Sequence, residues 1–239
     1  MSPIDLDGLR RTPAYPFSEG AHYLNLPTST LRSWFLGQGY TSADGEPRQF
    51  QPLIALDGER GQGLSFLNLI EAHVLAAIRR LHGVPLHRVR AALSFVSRRL
   101  NIERPLASAQ FQTNGIDLFV EELGTQLLNV SRDGQVEFAD LMRTHLRRVK
   151  RDPDGVPIKL YPFTRKEIST KAENPAPVEI DPRIAFGRPV LVGRAVPTAV
   201  LADRFKAGDS FQSLAEDYET STTEIEEAIR CELDRRQAA

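Results

Sequence analysis

The sequence predicts a mainly α chain with small β elements, an α+β fold, and three observations predict it. Two short capped helix patterns stand either side of a three-residue break between Ser18 and Phe35. Apolar residues recur at spacings of three and four from Ser65 to Leu100, and three more short helix signatures follow Pro197. Between these lie brief alternating runs that read as strands. With 239 residues, 41% hydrophobic and 26% charged, the composition is that of an ordinary globular protein, neither disordered nor fibrous. A single cysteine, Cys231, excludes an internal disulfide and a cysteine-based zinc site. The opening MSPIDLDGLRR lacks the apolar core of a signal peptide, and later apolar runs are broken by charge, so a cytoplasmic protein off the membrane is expected.

The first element is a helix capped by Ser18 with Ala21 and Leu24 on one face, stopped by Asn25-Leu26-Pro27. Thr28 or Ser29 caps a second helix that turns Leu31, Trp34 and Phe35 inward. Two short helices across a tight turn make a helix-turn-helix, whose second helix enters the DNA major groove and offers its early polar residues to the base edges. Those residues are Ser29, Thr30, Arg32 and Ser33. Arg32 carries the most weight, because a guanidinium binds guanine in bidentate fashion, worth roughly 1–3 kcal/mol of discrimination.

The polar stretch from Gly37 to Gly63 contains one apolar run, Pro52 to Leu56, that reads as a strand, and Asp57 to Gly63 suits a hairpin tip. A hairpin there is a wing, which brings Arg48 and Arg60 near the DNA backbone. GERGQG is no phosphate-cradling loop, since no Lys-Ser/Thr follows it. From Ser65 to Leu81 runs the clearest helix, with Leu67, Ile70, Val74, Ala77, Ile78 and Leu81 on one stripe. Gly83-Val84-Pro85 breaks it, and a second helix carries Leu86, Val89, Leu93, Val96 and Leu100. These stripes are core or a dimer seam, and Arg79, Arg80, Arg88, Arg90, Arg98 and Arg99 form a solvated face. His73, His82 and His87 have no carboxylate or cysteine to complete a metal site and read as surface histidines.

In the middle region alternation suggests strands at Ala109–Thr113, Asp117–Glu121, Gln126–Val130 and Gln135–Glu137, with turns at Asn114-Gly115 and Asp133-Gly134. A helix from Phe138 to Arg148 and a strand from Pro157 to Pro162 complete a small sheet with one helix. Thr164 to Pro177 is polar and aperiodic and reads as a mobile linker. Val178–Ile180 and Pro189–Val192 are extended. A helix opens at Pro197-Thr198 and ends at Ala207-Gly208. Asp209–Gln212 and Ser221–Glu224 then form capping boxes for two more, giving a three-helix, helix-turn-helix-like end. The expected organisation is therefore 1–104 winged helix-turn-helix with paired helices, 105–163 small α+β region, 164–177 linker and 178–239 trihelical domain. Residues 1–104 hold 12 Lys/Arg against 9 Asp/Glu and residues 164–239 hold 11 against 14, so the front suits phosphate better than the back.

Two stretches resemble known families. Tyr15 to Leu93 resembles the MerR-like winged helix in SEGAHYLNLPTSTLRSWF, the Arg60 loop, LNLIEAHVLAAIRRL and GVPLHRVRAAL, although Ser33-Trp34 stands where a tyrosine is usual. Ile180 to Leu233 is similar to a short bacterial antitoxin domain, long catalogued as of unknown function. It carries Gly187-Arg188-Pro189-Val190-Leu191-Val192-Gly193-Arg194, Ala207-Gly208-Asp209-Ser210 and Asp217-Tyr218. Together they look like a long VapB-type antitoxin. That resemblance implies a PIN-domain ribonuclease toxin as partner and repression of its own operon through operator DNA; an enzyme and a cofactor are not expected, because the sequence shows no nucleophile-base pair, paired carboxylates or metal spacing. The resemblance also implies that an inserted arginine neutralises the toxin's carboxylate cluster, with Arg188, Arg194, Arg235 and Arg236 as candidates. Palindromic operators imply a homodimer, for which the Leu86–Leu100 seam is available. The other reading of the residues is a stand-alone MerR-like regulator that senses a small molecule in the middle region, distinguished by whether the neighbouring reading frame encodes a PIN-like protein.

Overall fold

The structure, a computed structural model, describes residues 5–42, 44–79, 86–126, 132–165, 167–170 and 174–233. Their contacts form two compact units, one from residues 1–68 with 159–239 and the other from residues 69–158. The predicted DNA-reading helices and the trihelical end, far apart in sequence, thus share one unit.

In the first unit, α1 (Leu6–Arg11) is capped by the Asp5 carboxylate, which accepts the Gly8 N–H at 2.9 Å. The pair α2 (Phe17–Tyr23) and α3 (Thr28–Leu36) follows as expected, with Leu31, Trp34 and Phe35 buried. Their caps differ from the expectation: Pro16 and Pro27 precede the helices and no side chain caps either. Proline at these positions presets an extended entry, and Asn25 makes the turn itself with φ 53°. The wing is displaced from its predicted place. β1 (Gln38–Thr41) and β2 (Pro47–Phe50) pair antiparallel with Tyr40 opposite Arg48, so the tip lies at residues 42–46. Both strands are exposed and polar, leaving no apolar alternation for the sequence to display. The apolar run Pro52–Leu56 is not a strand; its Leu53 and Ile54 N–H groups donate to the Trp34 carbonyl at 2.7 and 3.1 Å. Asp57–Gly63 is a loop preceding α4 (Phe66–Arg79), held where Ser65 bonds Asp57 and the Asn68 amide donates to the Ala55 carbonyl at 2.8 Å.

The same unit closes with β5 (Val178–Glu179) paired antiparallel to β6 (Val190–Leu191), then α8 (Thr198–Lys206), α9 (Phe211–Asp217) and α10 (Thr222–Leu233). Val178, Leu191, Leu201, Leu214, Ile225, Ala228 and Ile229 form its core. Ser221 and Glu224 make the reciprocal capping box, each accepting the other's N–H at 3.2 Å. At α9 the cap is Ser210, not Asp209, which instead receives the Arg204 guanidinium at 2.6 Å. The predicted mobile linker is tied down at its start. Thr164 bonds the buried Glu227, and the Arg165 guanidinium grips the same carboxylate at 2.5 and 2.8 Å. Near its other end Asn174 exchanges hydrogen bonds with Ser169 at 2.7 and 3.0 Å.

In the second unit α5 (Leu86–Leu100), α6 (Ile116–Gln126) and α7 (Arg132–Leu146) pack together, followed by the hairpin of β3 (Val149–Arg151) and β4 (Pro157–Leu160). The strands predicted at Ala109–Thr113, Asp117–Glu121 and Gln135–Glu137 are helical, and most of Gln126–Val130 lies outside the described residues. Ile116, Phe119, Val120 and Leu123 are buried at helical spacing, and Phe111 is buried across the π-helical turn before them. Over five-residue windows that period is indistinguishable from alternation, and Phe and Val favoured the strand reading. Asn114-Gly115 lies in a π-helical turn and Asp133-Gly134 in the first turn of α7, rather than in hairpins. The helix predicted around Leu141, Met142 and Leu146 stands, as does the strand after Pro157. On α5, Val89, Ala92, Leu93 and Val96 are buried within one chain, so this stripe is core and not the seam of a dimer. His73 is also buried rather than on the surface: its Nε2 lies 3.0 Å from the His145 carbonyl, while His145 Nδ1 lies 3.0 Å from that of Leu141. His82, Leu81 and the Gly83-Val84-Pro85 break lie outside the described residues.

Candidate functional site

Burial of Leu31, Trp34 and Phe35 at positions i, i+3 and i+4 fixes the roll of α3 and turns Ser29 and Arg32 to solvent. Thr30 and Ser33 are half-buried, and the Ser33 hydroxyl donates back to the Thr30 carbonyl at 2.7 Å, so these two are partly spent within the helix. The Arg32 guanidinium lies 5.5 Å above the Phe17 ring, which in turn meets Phe35 edge-on at 6.0 Å. A cation over an aromatic face is steered without spending its N–H groups, so Arg32 keeps its donors for an incoming acceptor.

Two hydrogen bonds hold this helix pair within its unit and a third closes its own turn. The Asn25 amide donates to the Phe163 carbonyl at 2.8 Å, the His22 ring meets the Cys231 carbonyl of α10, and the Leu26 N–H reaches the Ala21 carbonyl at 2.9 Å. Gly37 ends α3 at φ 74°, where a Cβ would stand 2.4 Å from the Phe50 carbonyl oxygen. Only glycine lets the wing fold back so closely on the helix.

On the wing Arg48 pairs with Asp44 at 2.8 Å, both more than half exposed. Hydrogen bonds within the turn, chiefly from Ser42 and assisted by Arg48, hold the Asp44 carboxyl below its ordinary pKa. An exposed pair of this kind is weak enough for a phosphate to displace. Opposite Arg48, Tyr40 is exposed, a wing aromatic that sequence reading passed over because its strand was not recognised. Arg60 is exposed in the Asp57–Gly63 loop, off the wing that was expected to carry it.

The four arginines expected to meet a toxin fall into three situations. Arg188 is exposed. Arg194 is committed to the fold, its guanidinium donating to the Tyr218 carbonyl at 2.9 Å and to that of Glu219, which caps the end of α9. Arg235 and Arg236 lie outside the described residues. Two residues from Arg188 stands Phe186, 95% exposed, which apolar periodicity could not single out because it sits in a lone three-residue 3-10 turn, Ala185–Gly187, too short to show a repeat. Among the described residues no group of three His, Cys, Asp or Glu side chains is placed to hold a metal ion, and no helix is long and apolar enough to cross a membrane.

Two families match the chain: "Putative DNA-binding HTH domain" over residues 13–93, and "Protein of unknown function (DUF433)" over residues 178–230. A Mycobacterium tuberculosis protein described as "Putative antitoxin VapB45" is 30% identical over 231 residues, covering 91% of this chain and 92% of its own. The chain belongs to the same family as that protein. A second M. tuberculosis relative, the uncharacterized protein Rv2308, is 27% identical and covers 90% of this chain and 88% of its own. The crystal structure of Rv2018 from M. tuberculosis shares the fold, with a TM-score of 0.62, 22% identity, and coverage of 91% of this chain and 97% of that one. The helix-turn-helix match spans α2, α3, the wing, α4 and α5 as far as Leu93, while the second match runs from β5 into α10 as far as Arg230 and includes both Arg188 and Phe186.

Proposed function

We propose that the chain is an antitoxin that binds operator DNA through α3, represses its own operon, and neutralises a PIN-domain ribonuclease through its 178–239 segment. The observation that carries the DNA half is the placement of Arg32, exposed on α3 and charged, on a helix rolled by its buried Trp34. The second helix-turn-helix, α9–α10, is the poorer reader. The exposed face of its last helix carries Glu224 and Glu226, which repel phosphate. Ser29 and Arg32 face the bases, with Thr30 and Ser33 at the margin, while Arg48 and Arg60 meet the backbone. The antitoxin half is supported by the VapB45 relative. A palindromic operator calls for a homodimer, and since the α5 stripe is internal, another surface must provide it.

Mobility-shift titrations on the promoter upstream of the gene test this reading. Arg32→Ala is expected to weaken operator binding about 5- to 150-fold more than binding to random DNA of the same length, since a bidentate guanine contact carries roughly 1–3 kcal/mol. Arg48→Ala should weaken both equally and lessen the salt dependence. Equal loss on both DNAs for Arg32→Ala removes the base reader. For the toxin half, truncation after Pro177 is uninformative, because it deletes Leu201, Ile225 and Ile229 from the core of the unit that holds α3. Point substitutions on the surface are the usable probes.

A further inference from the structure

We propose that the loop Arg183–Arg188 is the toxin-docking knob of this chain, with Phe186 as the anchor that enters an apolar pocket rimmed by carboxylates on the partner. Phe186 exposes 95% of its surface, the largest apolar exposure among the described residues. It is also held there at a cost. Ala185, Phe186 and Gly187 run consecutively through the left-handed region at φ 47°, 57° and 76°. Non-glycine residues reach that region only when their surroundings impose it, and such segments gather where a chain presents a side chain for use.

The loop is built stiff. The Ile184 N–H donates to the Asp181 carbonyl at 2.9 Å, that of Gly187 to Ile184 at 2.9 Å and that of Arg188 to Ala185 at 3.1 Å. Buried Asp181 takes the Arg183 guanidinium at 2.6 and 2.9 Å, and a Cβ on Gly187 would stand 2.3 Å from the Tyr15 hydroxyl, so the base of the loop sits hard on the core. A pre-ordered aromatic loses little entropy on docking, which is the property of interface anchors.

Charge selects the occupant. Arg188, two residues along the chain from Phe186, is exposed, and no carboxylate is paired with it among the described residues, whereas the Arg183 guanidinium is already held by Asp181. An exposed apolar plug with an uncompensated cation two residues away fits an apolar pocket with an acidic rim. Nucleic acid fits less well, since the rest of this segment presents Glu216, Glu219, Glu224 and Glu226 to solvent. The inference rests on the reading of the chain as an antitoxin, and names the residues that do the binding.

The probe is the purified product of the adjacent reading frame, titrated against the full-length chain by calorimetry. Phe186→Ser should weaken the complex at least about 30-fold, the size of an anchor truncation of about 2 kcal/mol, with its melting temperature no lower than that of the wild type. Arg188→Glu should weaken it several-fold and flatten its dependence on salt. Operator affinity should stay unchanged in both. In parallel, Phe186→p-benzoylphenylalanine should, on irradiation of the complex, crosslink to the toxin. No complex with the wild-type chain overturns the antitoxin reading and this inference together. A complex that survives Phe186→Ser at full strength overturns this inference alone, as does a crosslink to a second copy of the chain or to operator DNA.

Discussion

Replacing Phe186 by glycine should stabilise the unit formed by residues 1–68 and 159–239. In the left-handed region Cβ crowds the following carbonyl oxygen at a cost of about 1–2 kcal/mol, and Phe186 sits there at φ 57°, ψ 33°. The ring recovers almost nothing by burial, since only area removed from water counts and 95% of the residue stays wet. Glycine takes up the same dihedrals freely but widens the unfolded ensemble, which offsets about 0.5–1 kcal/mol. The balance is a gain of about 0.5–1 kcal/mol, or about 1–4 °C in Tm for a unit of this size. The loop itself should persist, because its hydrogen bonds run between backbone groups of Asp181, Ile184, Ala185, Gly187 and Arg188. Thermal melts followed by circular dichroism compare the wild type with Phe186→Gly and Phe186→Val, the latter expected to melt lower because a β-branched residue is worse at positive φ. A lower Tm for Phe186→Gly would show that the ring packs against something in solution and refute the strained-anchor argument.

Arg194→Ala should cost up to about 0.5–1 kcal/mol of stability, because water can take over the exposed carbonyls at the end of α9, measured as a lower midpoint in urea; an unchanged midpoint means the cap is idle. Glu227 gives a pH signature. Burial pushes its carboxyl up, but the Arg165 and Thr164 hydrogen bonds and the Arg165 charge outweigh this and hold it below the usual range. Its stabilisation is therefore complete above the ordinary glutamate value of about 4.3 and disappears as the pH falls through the lower native one. The Tm gap between wild type and Glu227→Gln should be wide at neutral pH and close on acidification; a gap independent of pH rules the ion pair out. Ile225→Ala, at a fully buried core position, should cost about 2–5 kcal/mol. It should move the fluorescence transition of Trp34, the chain's one tryptophan, by as much as the circular dichroism of α10; a stationary Trp34 transition would separate the two ends.

Helices whose buried faces span several turns were legible in the sequence. Leu67, Ile70, Val74 and Ala77 on α4, and Ile225, Ala228 and Ile229 on α10, repeat long enough to fix a period, and the Ser221–Glu224 box marks its own helix start. Phe111 to Leu123 was read as strands because the buried positions of α6, Ile116, Phe119, Val120 and Leu123, span only two turns and the π-helical turn before them shifts Phe111 out of phase. The wing was missed for a different reason: a hairpin exposed on both faces has no apolar code, and its place is set by the Gly37 turn and the Trp34 carbonyl. Of the candidate site, the outward placement of Arg32 was readable because it follows from helix phase. Arg194 and Phe186 were not, since one depends on a contact with Tyr218 across 24 residues and the other on a backbone conformation that no side-chain pattern announces.

Because α2–α3 and α8–α10 belong to one unit, a ligand at either end stabilises both, by about 2.7 kcal/mol at a hundred times its Kd. That shared stability does not by itself make toxin and operator binding cooperative. When nearly every chain is folded, toxin has no unfolded population to recruit, and operator affinity stays where it was. The situation changes when the folded fraction is small. For Ile225→Ala, held at a temperature where a tenth of the chains are folded, apparent operator affinity should be about tenfold weaker, and saturating toxin should restore it. Wild type at the same temperature should show no such rescue. Rescue in both proteins would require a direct route from the Phe186 loop to α3, and rescue in neither would mean that the two ends do not melt as one.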